Sequence, residues 1–337
     1  MNNSPKAPQV RPERIKINIQ EHLMDLGELT LDSIIGQEYA VLKLREFVNN
    51  IKDKIVFDSW QCPPPRGVLL TGPTGVGKTA SVKAIAKALG MHVTLIELRY
   101  LDIASRWHDA TIEYLREFFK TIENLSKERH VLLFIDEIEA MLPDRRKELH
   151  ESTLKRIAAF LEWLNGGFSQ LTGVTLIGAT NCEDLMDPAV TRSGRFDLKI
   201  EYNTLDAKDI IEIFKTHIKN KKLNEKQISS SIDLSVLNPL LKKGLLNGAD
   251  VPNIIDQLIR KKAEAHRRNL EAIDGYQSMN LEKQKSLVQD PEYLPEAISS
   301  EDFFDMASEF IKNKERLNST VSIGFSHIGV KEKINEL

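Results

Sequence analysis

The sequence predicts an α/β fold, a parallel sheet flanked by helices, followed by a smaller all-helical domain. Three observations carry this expectation. Between residues 31 and 203, short and nearly continuous apolar runs alternate with segments of helical period. After Asn203 the runs stop and helical period alone remains. Between the first run and the first helix lies a glycine-rich loop, as expected where a parallel strand hands over to a helix.

Residues 1–30 read as an N-terminal arm, partly disordered. Pro5, Pro8 and Pro12 stand among polar residues there, and proline removes a backbone donor and blocks helix and ladder bonds. The α/β domain spans 31–203. Its strands are expected at 68–71, 92–98, 131–136, 175–180 and 198–202, most of them apolar on both faces, as suits parallel strands covered above and below. Helices are expected near 78–89, 109–125 and 151–165, making the crossovers that parallel strands require. The helical domain, 204–315, shows helical patterns at 206–219, 234–243, 251–270 and 300–313. Residues 271–298 are polar and contain proline, which reads as a loop or insertion. The tail, 316–337, carries Val321, Ile323 and Phe325; it either adds a strand or docks in a groove, or it frays.

Composition excludes several classes. The 337 residues suffice for one large or two modest domains with a real core. A net charge of −3 and an isoelectric point near 6.3 give no global attraction to nucleic acid or anionic lipid. Cys62 and Cys182 are too few for a disulfide framework, so a reducing, cytoplasmic setting is expected. No apolar leader core opens the sequence, and no apolar run approaches the roughly 20 residues of a membrane helix.

The chemistry is concentrated in a few stretches. Gly72, Pro73, Thr74, Gly75, Val76, Gly77, Lys78 and Thr79 match G-x-x-x-x-G-K-[ST] in full, with Ala80 continuing into the helix. Glycines let the backbone curl so that N–H groups face phosphate oxygens, and the helix N-terminus adds favourable partial charge. Lys78 is placed to reach the β- and γ-phosphates of ATP and Thr79 to ligate Mg²⁺. The strand at 131–135 ends in Asp136 and Glu137. Asp136 is expected to hold Mg²⁺, directly or through water, and Glu137 to act as general base on the attacking water.

With these motifs the chain resembles the AAA+ ATPases, and most closely the AAA subgroup of proteasomal ATPases, membrane-tethered AAA proteases and microtubule-severing enzymes. The resemblance covers roughly 31–315 and implies a P-loop NTPase sheet with a helical lid. Asn181, closing the fourth strand in Gly178-Ala179-Thr180-Asn181, stands where the family has its sensor 1. The stretch from Asp187 to Asp197 is similar to D-P-A-x-x-R-x-G-R-F-D. It implies that Arg192 and Arg195 project onto the γ-phosphate of a neighbouring subunit, so that the site is complete only in an oligomer, a hexamer in this subgroup. The resemblance also suggests His217 as a contact to ribose or adenine, although a lone histidine equally suits a satisfied core or surface position. Gly248 and Ala249 stand where the subgroup has a Gly-Ala pattern in place of a second sensor arginine. Ile35 and Gly36 match the adenine-side contact, or form a plain turn.

Arg106 and Trp107 occupy the place of the aromatic pore loop with which relatives grip polypeptide. His108 and Asp109 depart from the family pattern there, and Trp107 packed against the following helix is the competing reading. Arg145 and Arg146 read as a solvated charge cluster, or else as a second, lower loop. The sequence lacks an H-E-x-x-H zinc motif. The expectation is a MgATP-driven protein remodeller acting on a polypeptide, itself or through an adaptor. A nucleic-acid-associated AAA+ ATPase or loader is the alternative.

Overall fold

The computed structural model describes residues 17–62, 65–90, 93–104, 108–171, 173–190 and 195–326. Five parallel strands form one sheet: β1 (Gly67–Thr71), β2 (Val93–Glu97), β3 (His130–Ile135), β4 (Val174–Thr180) and β5 (Leu198–Glu201). Their order is β2-β3-β4-β1-β5. Every residue of β1 and β4 is buried, as are five of the six in β3. That is why these runs are continuously apolar: both faces of the central strands meet helices. The edge strand β5 buries Ile200 alone of its four residues.

The helices before and between the strands are α1 (Glu38–Lys52), α2 (Lys54–Ser59), α3 (Lys78–Leu89), α4 (Tyr100–Ala104), α5 (His108–Leu125), α6 (Ile138–Met141), α7 (Glu151–Asn165) and α8 (Gly167–Gln170). On one face of the sheet, α5 and α7 bring Phe118, Phe119, Phe160 and Trp163 into a single cluster with Leu133, Ile135 and Leu176. Phe119 and Trp163 stack with ring centroids 4.1 Å apart. Such aromatic pairs contribute about 0.5–1.5 kcal/mol beyond their buried area.

Within the partly disordered arm expected over 1–30, the described residues 17–24 pack on the sheet edge. Ile19–His22 forms a 3-10 turn, and Leu23 bridges Ile96 in the antiparallel sense. His22 is buried and bonds the Glu97 carbonyl (3.0 Å) and the Tyr114 hydroxyl (2.9 Å). This segment covers the otherwise open β2 edge. The prolines of the arm lie outside the described residues.

The chain divides into two compact units at Tyr202/Asn203, with Thr74–Gly77 grouped with the second. The second unit is helical: α9 (Ala207–Asn220), α10 (Asn238–Leu241), α11 (Asp250–Glu271), α12 (Leu281–Gln289) and α13 (Ser300–Ser326). Asp206 caps α9 by accepting from the N–H groups of Lys208 and Asp209. The core is built around Phe214, Leu237, Ile254 and Phe303.

Three expectations differ here. The segment 234–243 is a 3-10 turn, Leu234–Leu237, followed by α10; Pro239 lacks an N–H, which suits the first turn of a new helix rather than the middle of one. The segment 271–298 contains α12, whose polarity follows from its burying no side chain. Finally, Val321, Ile323 and Phe325 lie in α13, not in a strand. Among the described residues no helix is long and apolar enough to cross a membrane.

Candidate active site

Three neighbouring strands, β3, β4 and β1, end side by side. The C-terminal edge of a parallel sheet is where ligands bind in such folds. β1 leads into the glycine-rich loop, where Gly72, Gly75 and Gly77 all have positive φ (141°, 78° and 99°). Gly72 also has no room for a side chain, since a Cβ there would stand 2.5 Å from the Tyr202 carbonyl oxygen. The loop is thus held in a curl that other residues resist.

Lys78 opens α3 and is buried. Its ammonium donates to the Gly72 carbonyl (2.6 Å), the Pro73 carbonyl (2.7 Å) and Asn181 Oδ1 (2.7 Å). Burial pushes its pKa down, and the nearby carboxylates of Asp136 and Glu139 oppose that shift. Thr79 Oγ1 donates to Asp136 Oδ2 at 2.8 Å. The loop, the end of β3 and the end of β4 therefore converge on one point through Lys78, Asp136 and Asn181.

Asp136 is half-buried and Glu137 is exposed. Glu137 has φ 48° and ψ 47°, the left-handed conformation, and directly precedes α6. That backbone costs a non-glycine residue about 1–3 kcal/mol, and strain of this kind gathers at functional sites. Its N–H donates to Asp136 Oδ1 at 3.0 Å. Arg156 from α7 donates to the carbonyls of Ala140 and Met141, each at 3.3 Å, and so anchors the end of α6. Sequence reading missed Arg156; a buried arginine within an apolar helix face was the available signal.

The donor set fits Mg²⁺ bound with a nucleotide. A hydroxyl and a carboxylate oxygen, Thr79 Oγ1 and Asp136 Oδ2, are hard oxygen ligands held together, and Mg²⁺ characteristically takes one or two such groups plus phosphate and water. Among the described residues no cluster of three histidine, cysteine or acidic side chains forms an all-protein metal cage.

Arg195 is half-buried; its guanidinium donates to Asn165 Oδ1 (2.5 Å), at the end of α7. Its carbonyl lies against Gly67, at the start of β1. Arg192, together with Arg106 and Trp107, lies outside the described residues. Arg145 and Arg146 are exposed, as a solvated cluster requires, but each is tied to a buried partner: Arg145 pairs with Asp187, and Arg146 with Asp144. Asp187 was read only as the start of its own motif, which hid its pairing with Arg145.

In the second unit, Gly248 packs onto the loop tip. A Cβ on Gly248 would stand 2.4 Å from the Gly75 carbonyl oxygen, so the Gly248-Ala249 step permits a close backbone approach. His217 lies in α9, where burial holds its pKa below the ordinary value, with Lys221 acting in the same sense. Ile35 and Gly36 form a turn ahead of α1, with Gly36 at φ 70°.

The sequence pattern of the ATPase family associated with various cellular activities (AAA) matches residues 68–204. The chain is 32% identical over 230 residues to Protein SAV of Sulfolobus acidocaldarius, covering 68% of this chain and 28% of that protein. It is 31% identical over 251 residues to the ATP-dependent zinc metalloprotease FtsH of Aquifex aeolicus, covering 72% and 36%. It is 32% identical over 206 residues to the cell division cycle protein 48 homolog of Archaeoglobus fulgidus, covering 61% and 27%. The chain thus spans about a third of the length of these relatives. With the phosphate loop, the acidic end of β3 and Asn181 converging as described, the chain belongs to the AAA+ ATPases.

Proposed function

We propose that this chain hydrolyses MgATP as an oligomer, a hexameric ring, and uses the cycle to remodel a polypeptide substrate in the cytoplasm. The observation that carries the hydrolytic reading is the convergence of Lys78, Thr79, Asp136 and Asn181 at the ends of three adjacent strands, with Glu137 beside them. Lys78 releases the carbonyls of its own loop and neutralises the β- and γ-phosphates. Thr79 and Asp136 hold Mg²⁺, which when bound neutralises phosphate charge. Glu137 takes the proton of the attacking water, and the Asn181 amide orients that water. By resemblance to the family, Ile35, Gly36, His217, Gly248 and Ala249 are the candidates for the base and sugar side.

The oligomeric reading rests on where Arg195 is held. Its backbone lies against Gly67, five residues before Gly72, or roughly 16 Å along an extended strand. That is longer than an arginine side chain, which supports Arg195 serving a neighbouring subunit's γ-phosphate, the role the family resemblance also gives to Arg192. Remodelling rests on Trp107 with Arg106, which stand in the sequence where the family has the aromatic residue that grips an extended chain. The two cysteines are free and exposed, which fits a reducing compartment.

The test uses the Glu137→Gln variant with ATP. It should bind nucleotide, hold a closed oligomer and retain its polypeptide substrate. Turnover at the parent rate would remove Glu137 from its role. Nucleic acid rather than protein on the purified complex would favour a loader. A strictly monomeric particle, fully active at high dilution, would refute the oligomeric reading.

A further inference from the structure

The chain around Asp187 is sewn to the chain that follows Glu137. After α6 the backbone returns along the segment before Asp187. Pro143 bridges Met186 in the antiparallel sense. The Asp144 N–H donates to the Leu185 carbonyl (2.9 Å), and the Asp187 N–H to the Leu142 carbonyl (3.0 Å). The Asp187 carboxylate is 2% exposed and closes this seam. It accepts from the Arg145 Nε, from Arg145 Nη2 (3.5 Å) and from the N–H groups of Arg145 (3.4 Å) and Ala189 (2.7 Å). Burial opposes the charge on Asp187, but the hydrogen bonds and charge of Arg145 outweigh it and hold the carboxyl below its usual range.

The two sides of the seam lead to different places. One side runs back through the four residues of α6 to Glu137. The other runs forward to the finger segment, whose far end is fixed where Arg195 meets Gly67 and where Asp197 accepts from the Arg66 N–H (3.2 Å). Asp187 and Ala189 therefore anchor the chain ahead of Arg195, and Arg145 is the cation that holds the Asp187 carboxyl ionised.

We infer that Arg145 and Asp187 form a positioning pair: they set the finger segment for the neighbouring subunit's γ-phosphate and tie it to the strand end that bears the same subunit's Glu137. This rests on the reading in which Arg192 and Arg195 act across the interface. Neither Arg145 nor Asp187 touches nucleotide; they act through Arg195 and its companion.

The experiment compares Asp187→Asn, Arg145→Ala and Arg145→Lys. Asparagine keeps the shape and an acceptor for Ala189 but loses the charge. Arg145 has a side chain 44% exposed, so its truncation leaves the core in place. For Asp187→Asn and Arg145→Ala, kcat should fall about 10–100-fold, the cost of a finger displaced by about 1 Å. The KM for ATP should stay within about threefold, because the phosphate loop is intact. Arg145→Lys should recover part of the loss, since an ammonium supplies the charge without the two-pronged fit. A purely structural pair would instead lower melting temperature and leave kcat per folded subunit unchanged, which would overturn the inference.

Mixed oligomers give the decisive reading. Arg145→Ala subunits mixed with Glu137→Gln subunits should regain turnover: the former keep Glu137 and the latter lend ordered fingers. No recovery, in mixtures where Arg195→Ala with Glu137→Gln does recover, would mean that the pair serves its own site and would overturn the inference alone. No recovery in either mixture, with mixed oligomers confirmed by mass, would overturn the trans-acting reading and the inference with it.

Discussion

A single methyl group at Gly67 should disable hydrolysis from the far end of β1. A Cβ built on Gly67 would stand 1.7 Å from the Arg195 carbonyl oxygen, 2.7 Å from its carbonyl carbon and 2.9 Å from the Phe196 Cα. All three are backbone atoms, so no side chain can swing aside. Restoring a tolerable contact near 3 Å requires the Arg195 peptide to retreat by roughly 1.3 Å. The retreat strains the bond from the Asp197 N–H to the Gly67 carbonyl (2.9 Å) and the β1–β5 register that follows it. Overpacking of this kind costs about 1–3 kcal/mol, and a displaced catalytic group of this size costs about 100-fold in rate. Gly67→Ala should therefore bind a fluorescent ATP analogue normally, because the phosphate loop is at the other end of the strand, while phosphate release falls about 100-fold. The assay pairs the two measurements with a melting curve. A variant with parental turnover and an unchanged melting temperature would refute the seating of Arg195 on Gly67, and with it the argument that the backbone there positions the finger.

Lys78→Ala should lose nucleotide affinity, whereas Glu137→Gln keeps affinity and loses turnover; equal affinity losses in parallel titrations would contradict the separate roles. Trp107→Ala should leave basal hydrolysis intact and abolish remodelling of a model polypeptide; a sharp fall in melting temperature with remodelling preserved would make Trp107 a packing residue. His130 is held neutral by burial, with a repulsive contribution from Lys54, and its pKa is depressed from 6.5 to about 4. Because the unfolded chain binds that proton first, the stability associated with neutral His130 is full above pH 6.5 and is lost as pH falls toward 4, up to about 3 kcal/mol. His130→Gln should flatten that part of the pH–stability curve; an identical slope in the variant would contradict it. Glu137→Gly should raise stability by about 1 kcal/mol while abolishing turnover, since glycine tolerates the left-handed backbone; Glu137→Gln keeps the strain, and equal melting temperatures for the two would argue against stored strain.

The sheet was legible because the physics that buries a strand on both faces leaves a continuous apolar run. The runs expected at 131–136 and 175–180 correspond to β3 and β4, which lie next to each other, with β4 also next to β1. The phosphate loop was legible for a related reason: its glycines are demanded locally, by positive φ and by the closeness of Tyr202. The seam between Arg145 and Asp187 was not. Its partners are 42 residues apart, and a charged pair leaves no periodic trace, so each residue alone reads as solvated. The N-terminal segment gave no clear pattern for a related reason. Residues 17–24 are mixed in character because they sit on a sheet edge, with one side toward β2 and the other toward water; His22 is buried only because Tyr114 and the Glu97 carbonyl await it.

One sheet supports both halves of the chemistry, and strand order explains how. β1 carries the phosphate loop at its C-terminal end and receives the Arg195 backbone at its N-terminal end, while β5, which follows Arg195, pairs directly with β1. β3 carries Asp136 and Glu137 at its end, and the chain beyond it is sewn to the start of the finger segment. Any displacement of β3 relative to β1 therefore moves the outgoing arginines as well as the subunit's own catalytic carboxylates. The buried central strands transmit such a shift because close-packed interiors do not absorb it. Glu137 stands at the junction in a strained backbone; of the residues proposed for the site and described, it is the one non-glycine residue with positive φ. Nucleotide contacts that change that backbone would be felt along α6 and the seam before they reach the fingers, so the signal between subunits is expected to weaken when Arg145 is removed even if every group touching ATP is left in place.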